Sequence, residues 1–397
     1  MKTTSGPVVV WFRDDLRIAD NPALLAALSS QSPVIGLYIL DQESAGIRPL
    51  GGAAQWWLHH SLAALSSDLA HLNIELVLRR GVAASEVNEV IANTGASAVF
   101  WNRRYGGPER AIDTEIKKCL IDNGVEAESF AASLLFEPWA IRTHNGELYS
   151  VFTPFWRACT SLPEPRLPLP APHNTSHPTN FTELPSLSLD GLGLLPRGPD
   201  WTSGLRESWQ VGEAHAQRTL HEFLRDDLRN YPSDREVPSV AGTSRLSPYL
   251  RWGQISPYQV WHAAMDAQRQ REVPSEAVQC FLRELGWREF AWHTLYHFPD
   301  LATKNWRSNF DNFPWPNNRE DLLRAWQQGR TGIPLVDAGM RELWRTGWMH
   351  NRVRMITASF LTKNLLIDWR AGEQWFWDTL VDAETASNPF NWQWVAG

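Results

Sequence analysis

A short apolar run near the start of the chain, Val8-Val9-Val10-Trp11-Phe12, decides the fold class. Its β-branched residues favour a buried strand, and three similar runs follow at 34–40, 74–78 and 98–101. Patterns typical of helices lie between these runs, notably at 53–70 and 83–93. Strands that alternate with helices form a parallel, doubly wound sheet. Residues 1–160 are therefore predicted to be an α/β domain.

The predicted strands end in polar residues. The first runs into Arg13, Asp14 and Asp15, and the fourth runs into Asn102-Arg103-Arg104-Tyr105. Doubly wound sheets bind ligands at the carboxyl ends of their strands, so these side chains are candidates for a ligand site. The sequence has neither the GxGxxG pattern of dinucleotide-binding folds nor the GxxxxGK[ST] pattern of a P-loop.

The composition changes after the α/β domain. Nine of the chain's 26 prolines fall within residues 161–200, which predicts an extended connector. Residues 201–397 are predicted to be all-helical, because strand signals are sparse there. Ser-Pro pairs at 247–248 and 256–257 mark two helix starts, with Ser as the cap and Pro in the first turn.

The overall composition is that of a globular protein, with 43% apolar and 20% charged residues in 397. Collagen, wholesale disorder and disulfide scaffolds are excluded. No apolar run approaches the length of a membrane span and the first residues lack a signal peptide, so a cytoplasmic location is predicted. The three cysteines, Cys119, Cys159 and Cys280, lack metal-binding spacing and are interpreted as buried thiols, so no metal is expected.

Tryptophan is unusually abundant, with 22 residues, fourteen of them after Arg251. So many indoles suggest stacking on bases or electron transfer as well as packing. The net charge of −7 argues against a nucleic-acid partner, but residues 281–397 hold eleven Arg and only two Lys. Because Arg suits phosphates and flat rings, a local basic groove on an acidic protein remains open.

The stretch 242–248 combines three hydroxyl side chains with Arg245 just before a predicted helix start. Free N–H groups and the helix dipole favour an anion there, so the stretch is a candidate phosphate site. An ordinary capping loop has the same composition and is the alternative.

Glu284, Trp287 and Arg288 are spaced i, i+3 and i+4, and so share one helix face. The carboxylate could bind the polar edge of a base while the indole stacks on it. A surface Glu–Arg pair beside an interface Trp is the alternative.

Asn351 and Met355 share a face in the same way, with Arg354 directed elsewhere. Asn suits an adenine-like edge, although capping is as common a role. His350 has no second ligand near it in sequence and is interpreted as structural. The last tryptophans at helical spacing are typical of a core; they are Trp369, Trp375, Trp377, Trp392 and Trp394.

Five motifs, in this order, resemble those of the DNA photolyase and cryptochrome family. They are VWFRDDLRIADNPAL (10–24), TSRLSPYL (243–250), WREF (287–290), TGWMHNRVRM (346–355) and NWQW (391–394). The resemblance covers the whole chain, and the motifs together are highly specific. It implies an α/β domain that carries an antenna pigment and a helical domain that binds FAD and DNA.

The resemblance assigns one group of residues to FAD. Those expected around its phosphates and the same cavity are Tyr231, Thr243, Ser244, Arg245, Leu246, Ser247 and Phe281. Those expected around the flavin ring are Arg354, Asp382, Ala383, Glu384 and Asn388. Asp382 is expected to pair with Arg354 beneath the flavin, and Asn388 to face the flavin N5.

A second group is assigned to electron transfer and DNA. The implied relay of electrons to photoexcited flavin consists of Trp392, Trp369 and Trp315. The implied substrate pocket contains Glu284, Trp287, Asn351, Met355 and Trp394, and the implied DNA-binding arginines are Arg235, Arg288 and Arg352. Trp375 and Trp377 could offer a branch of the relay, although core packing is the preferred interpretation.

The activity implied is light-driven repair of UV-damaged DNA. Reduced FAD, excited by blue light, gives one electron to a cyclobutane pyrimidine dimer that has left the base stack, and the dimer splits; photolyases are among the enzymes known to flip bases. Met355 favours cyclobutane dimers over 6-4 photoproducts, whose photolyases carry His there. The alternative is a plant-type cryptochrome, a blue-light sensor, but such proteins usually lose the Glu284 and Trp287 pair.

Residues 388–394 resemble the class III bacterial photolyases most closely. Glu109 matches an acid that binds a folate antenna, so 5,10-methenyltetrahydrofolate is the expected antenna, with a solvated helix-start Glu as the alternative. Family members continue for several dozen residues past the NWQW motif, so the chain is expected to be truncated at Gly397. A bacterial cytoplasmic monomer is expected.

Overall fold

A computed structural model describes residues 6–173, 184–270 and 273–397. The N-terminal part alternates strands and helices. The strands are β1 (Val8–Phe12), β2 (Val34–Leu40), β3 (Glu75–Arg80), β4 (Ala98–Asn102) and β5 (Glu126–Phe130). The helices are α1 (Pro22–Ser29), α2 (Gly52–Ala70), α3 (Ala83–Thr94), α4 (Gly107–Asp122) and α5 (Phe152–Thr160).

The five strands that the structure describes form one parallel sheet in the order β3-β2-β1-β4-β5. Val8 on β1 is paired with Val34 on β2 and with Ala98 on β4. Apolar side chains cover both faces of the sheet, since β1, β2 and β4 are buried at every position. The predicted doubly wound sheet is confirmed.

The predicted elements agree with the structure within a residue or two, apart from β5. That strand reads Glu-Ala-Glu-Ser-Phe and lies at the edge of the sheet, where only some of its residues are buried. An edge strand with one solvated face needs no continuous apolar run, so β5 was not predicted.

The described residues of the C-terminal part contain helices and no strands. Its helices are α6 (Ser203–Ser208), α7 (Glu213–Asp226), α8 (Tyr231–Asp234), α9 (Ser247–Arg251), α10 (Pro257–Arg269), α11 (Ser275–His297), α12 (Glu320–Gln327), α13 (Pro334–Thr346), α14 (Asn351–Ser359), α15 (Trp369–Thr379) and α16 (Ser387–Ala396). Short helical turns connect them at Leu228–Asn230, Ser308–Phe310 and Phe360–Asn364. The predicted all-helical half is confirmed.

The two Ser-Pro pairs behave differently. Ser256 caps α10, because its hydroxyl accepts the Gln259 N–H while the Gln259 side chain accepts the Ser256 N–H. The prediction that Ser247 caps α9 is wrong. Ser247 is the first residue of α9, and its hydroxyl donates to Asp382 at 2.6 Å instead.

Two buried glutamates join the helical part to the α/β part. Glu213 on α7 accepts the backbone N–H groups of residues 18 and 19, at 2.7 and 3.0 Å. Glu289 on α11 accepts those of residues 135 and 136, at 3.0 and 3.1 Å. Burial raises the pKa of each carboxyl to about 7, although the N–H donors act in the opposite direction. The two parts are therefore held together by direct polar contacts.

The predicted connector contains one helical turn, Asp190–Leu192, and Leu192 is fully buried. Arg166 from the same segment pairs with buried Asp20 at 2.5 Å. Residues 174–183 of the predicted connector lie outside the described residues. The boundaries 1–160, 161–200 and 201–397 stay predictions.

Candidate functional site

A cavity of about 1100 Å³ lies among α8, α9, α11, α14, α15 and α16. It brings together residues far apart in the chain, from Phe152 to Val395. The predicted site residues that line it are Tyr231, Arg235, Thr243, Ser244, Arg245, Leu246, Ser247, Phe281, Glu284, Trp287, Arg288, Asn351, Arg352, Arg354, Met355, Asp382, Ala383, Glu384, Asn388, Trp392 and Trp394. Trp315, Trp369 and Glu109 are the predicted residues that do not line it.

A buried carboxylate and a guanidinium form the floor of one end of the cavity. Asp382 accepts two hydrogen bonds from Arg354, at 3.0 and 2.8 Å, and a third from the Ser247 hydroxyl. The Asp382 side chain is almost fully buried, whereas Arg354 retains 24% of its exposure. The expected Arg354–Asp382 pair is therefore formed, with a fixed negative charge beneath the cavity.

Asn388 on α16 is held in one orientation by two residues that the sequence did not indicate. Its Nδ2 donates to the backbone oxygen of Glu373, at 3.0 Å, and to its Oε1, at 2.8 Å. Arg48, from the loop before α2, donates two hydrogen bonds to the same carboxylate at 2.6 and 2.9 Å. Because both Asn388 bonds use Nδ2, its carbonyl oxygen is free to accept from a ligand in the cavity.

Residues 243–247 of the stretch 242–248 line the cavity beside this ion pair, since the Ser247 hydroxyl is bonded to Asp382. Arg245 has a left-handed backbone with φ +50°, uncommon for a residue with a side chain. Its guanidinium carbon lies 4.4 Å from the Trp209 ring centre and 4.9 Å from that of Trp348. Within the described residues no carboxylate lies within 4.0 Å of it. Burial lowers the pKa of Arg245, an effect that a bound anion would reverse.

These groups fit FAD. Hydroxyl groups near an arginine without a carboxylate partner suit a diphosphate, and an amide with a fixed ion pair suits a flavin ring. Phe281 and Tyr231 line the same cavity, with ring centres 5.6 Å apart and planes at 86°. The cavity is also large enough for a ligand of this size.

Two indoles stand at the mouth of the cavity. The ring centres of Trp287 and Trp394 are 6.5 Å apart, with planes at 69°, and Trp394 is 53% exposed. Phe152 on α5 stacks on the other face of Trp287, with ring centres 3.7 Å apart and planes at 10°. Phe152 was not among the predicted residues, because nothing local in sequence links it to Trp287.

The alternative interpretation of Glu284 and Arg288 as a mutual surface pair is wrong. Glu284 pairs with Arg235 at 2.5 Å, whereas Arg288 pairs with Glu384 at 2.9 Å and donates to the backbone oxygen of Ser133 at 2.8 Å. Arg288 therefore has its guanidinium bound inside the protein, which does not favour the predicted contact with DNA. The nearby Glu284, Asn351 and Met355 all face the cavity.

The predicted relay tryptophans lie in one apolar cluster. Trp392 lines the cavity and is buried against Phe376 and Trp326, at 5.0 and 6.1 Å between ring centres. Trp369 is buried in the same cluster. Trp315 is partly exposed and packs against the cluster.

The remaining aromatic and histidine predictions concern packing. Trp377 is buried and donates its Nε1–H to the backbone oxygen of Pro49, as a core residue does. Trp375 stacks on Trp344, with planes at 6°. His350 is the N-cap of α14, and its Nδ1 accepts the Arg352 N–H, which confirms its structural interpretation.

Comparison with known proteins shows which family this chain belongs to. Residues 8–173 match the DNA photolyase family, and residues 281–397 match the FAD binding domain of DNA photolyase. A deoxyribodipyrimidine photo-lyase from Agrobacterium fabrum is 49% identical over 397 residues, which are 100% of this chain and 81% of that protein. The chain belongs to the DNA photolyase family.

Solved and curated photolyase-family proteins extend the comparison. The crystal structure of a bacterial class III photolyase from Agrobacterium tumefaciens has a TM-score of 0.94 and 48% identity, and the match covers 99% of this chain and 80% of that one. Cryptochrome-1 of Arabidopsis thaliana is 35% identical over 99% of this chain, but only 58% of its own length is covered.

Other features of this photolyase-family chain concern the predicted antenna, metal and location. Glu109 lies in the first turn of α4, away from the cavity, and its carboxylate folds back over Gly106. The described residues contain no cluster of His, Cys, Asp or Glu able to hold a metal ion. None of the described helices is both long and apolar enough to cross a membrane.

Proposed function

We propose that this protein is a deoxyribodipyrimidine photo-lyase that repairs cyclobutane pyrimidine dimers in UV-damaged DNA with light and FAD. The observation that carries the proposal is the arrangement of the cavity: a flavin-binding end, with Arg354, Asp382 and Asn388, opens directly to a mouth flanked by Trp287 and Trp394. The similarity to a named photo-lyase over the whole chain supports it.

The mouth suits a flipped pair of fused pyrimidines. Trp287 and Trp394 lie at 69° to one another, so they present two apolar faces to a bent, V-shaped ligand. Glu284 and Asn351 supply an acceptor and an amide for its polar edge. Stacking on indoles contributes about 1–3 kcal/mol for each base, which offsets the cost of leaving the helix.

FAD, when bound in its reduced form, supplies the electron that light releases to the dimer. The residues of the chain fix where this happens. Arg245 and its neighbouring hydroxyls would hold the diphosphate, the Arg354–Asp382 pair and Asn388 would hold the flavin ring, and Glu373 fixes the orientation of the Asn388 amide. Burial of Trp287 against Phe152 excludes water from one side of the dimer.

The finer assignments are part of the same proposal. Trp392, which lines the cavity, begins the relay that continues through Trp369 to partly exposed Trp315. Glu109 binds the antenna 5,10-methenyltetrahydrofolate, and Arg235 and Arg352 bind DNA phosphates. Class III placement is supported by the similarity to the Agrobacterium tumefaciens structure. The monomeric state and cytoplasmic location stay predictions.

A light-dependent assay tests the function. The flavin-loaded protein is reduced and mixed with an oligonucleotide containing one cyclobutane thymine dimer, and restored thymines are counted after blue light and after darkness. Restoration in light alone is expected. Binding of the dimer without restoration under light would leave the cryptochrome alternative, a sensor with the same cavity.

A further inference from the structure

Four charged side chains form a row across the mouth of the cavity, in the order Glu284, Arg235, Glu236 and Arg352. Arg235 pairs with Glu284 at 2.5 Å, and its Nε lies 3.5 Å from Glu236 Oε1. Arg352 donates two hydrogen bonds to Glu236, from Nε to Oε2 at 2.6 Å and from Nη2 to Oε1 at 2.5 Å. Glu236 is thus the acidic residue between the two arginines expected to bind DNA.

The Arg352–Glu236 contact has the geometry with which arginine binds phosphate. Two parallel N–H donors of the guanidinium bind two oxygens of one anion. This forked arrangement of donors suits carboxylates and phosphates alike. The pair is accessible, since 48% of the Glu236 side chain and 33% of that of Arg352 remain exposed. Hydrogen bonds from Arg352 lower the pKa of Glu236, so the carboxylate is charged at neutral pH.

Some other arginines of the cavity wall are already held in ion pairs, whereas Arg283 is not. Arg288 is paired with Glu384, and Arg354 with Asp382. Arg283, which is exposed on α11 and lines the cavity, forms no ion pair within 4.0 Å among the described residues. Release of Arg352 from Glu236 therefore adds a further unpaired cation to the one at Arg283.

We propose that Glu236 is a built-in competitor of the DNA backbone, which occupies Arg352 until a DNA phosphate displaces it. The inference rests on the proposed function, since it concerns how the same mouth selects DNA. Phosphate contacts carry no sequence information, so Glu236 weakens binding to damaged and undamaged DNA alike. Undamaged DNA makes no stacking contacts at Trp287 and Trp394, and is then held too weakly to occupy the site.

The test measures DNA binding by flavin-loaded protein in which Glu236 is replaced. Glu236→Gln keeps the shape of the side chain and removes its charge. It is expected to bind undamaged and dimer-containing duplexes about 2- to 5-fold more tightly, the range for loss of one exposed ion pair. The slope of log affinity against log salt should steepen by up to about 0.9, because one more cation becomes available to DNA. Glu236→Ala serves as a second variant.

Two controls separate this effect from others. Glu207→Gln removes a carboxylate from a different exposed pair, with Arg345, and is expected to leave DNA affinity unchanged. In the background of Arg352→Gln, Glu236→Gln is expected to give a clearly smaller gain, because the bidentate partner is gone and only the 3.5 Å contact of Glu236 with Arg235 remains. FAD content and thermal midpoint are measured for every variant to establish that it is folded.

Equal or weaker DNA binding by folded Glu236→Gln and Glu236→Ala would overturn the inference and make Glu236 a support that positions Arg352. A gain of the same size in the Arg352→Gln background would overturn it as well. These outcomes leave the proposed function intact, provided that the unaltered protein binds dimer-containing DNA and repairs it in light. Failure of the unaltered protein to bind such DNA at all would instead remove the proposed function, and the inference with it.

Discussion

Replacing Asp382 by Asn removes the negative charge that pairs with Arg354 beneath the proposed flavin while keeping the side chain's shape. The carboxylate accepts bonds of 3.0 and 2.8 Å from Arg354 and 2.6 Å from Ser247. Breaking a buried pair by removing one partner costs about 3–5 kcal/mol, and the partial exposure of Arg354 places this case at the lower end, about 3 kcal/mol. An unfolding entropy of about 0.8 kcal/mol/K for a chain of this length converts that to a thermal midpoint about 4 °C lower.

The assay compares thermal unfolding and FAD content of Asp382→Asn and the unaltered protein. Beyond the loss of stability, FAD affinity should fall at least about tenfold, because Arg354 is no longer held in place beneath the ring. Glu207→Gln is the control, since it breaks an ion pair exposed on both sides and should change neither quantity. An unchanged midpoint together with full FAD content would refute the reasoning that this pair supports the flavin.

Further predictions concern the mouth of the cavity, the relay and the domain contact. Glu284→Ala should retain FAD but slow repair about 10- to 100-fold, because a charged hydrogen-bond acceptor for the dimer is lost; unchanged repair would remove Glu284 from the mechanism. Trp392→Phe should block photoreduction of oxidised FAD, followed by its absorbance, while pre-reduced protein still repairs; normal photoreduction would exclude this relay. Phe152→Leu should destabilise the protein by about 1 kcal/mol and weaken dimer binding with FAD retained, because Trp287 loses its stacked partner, and unaltered dimer binding would contradict this. Burial raises the pKa of Glu289 to about 7, so the folded state binds this proton more tightly than the unfolded state does. The resulting stabilisation of the fold is complete below about pH 4.5 and is lost as the pH rises to 7 and above. The difference in free energy of unfolding between the unaltered protein and Glu289→Gln, measured by denaturant unfolding, should therefore fall by about 2 kcal/mol between pH 5 and pH 8. A difference that does not change with pH would contradict the raised pKa of Glu289.

Periodicity and strand composition were sufficient for most of the fold. The runs at 8–12, 34–40, 74–78 and 98–101 all form strands, because strands buried on both faces must be apolar throughout. The edge strand β5 needs no such run and was therefore not predicted. The Ser-Pro pairs likewise predicted a cap correctly at Ser256 and wrongly at Ser247. The Ser247 hydroxyl does not cap a helix because it donates to Asp382, which is distant in sequence.

The site itself was predictable only in part. Spacing on one helix correctly grouped Glu284 with Trp287, but it could not show which partners those side chains would find. The supports that orient the site come from distant segments: Arg48 reaches Glu373 across 325 residues of sequence, and Phe152 reaches Trp287 from another helix. Such contacts depend on how the domains pack, which local patterns do not encode.

Removal and return of FAD shows whether the cavity repairs dimers through a bound flavin. FAD is stripped from the purified protein, dimer repair under blue light is measured, and FAD is then added back in steps while bound flavin and repair are both recorded. We expect no repair by the stripped protein and repair that rises in proportion to bound FAD, up to one per chain. Repair that persists without flavin, or full flavin binding that never restores repair, would show that the flavin in this cavity is not what repairs the dimer.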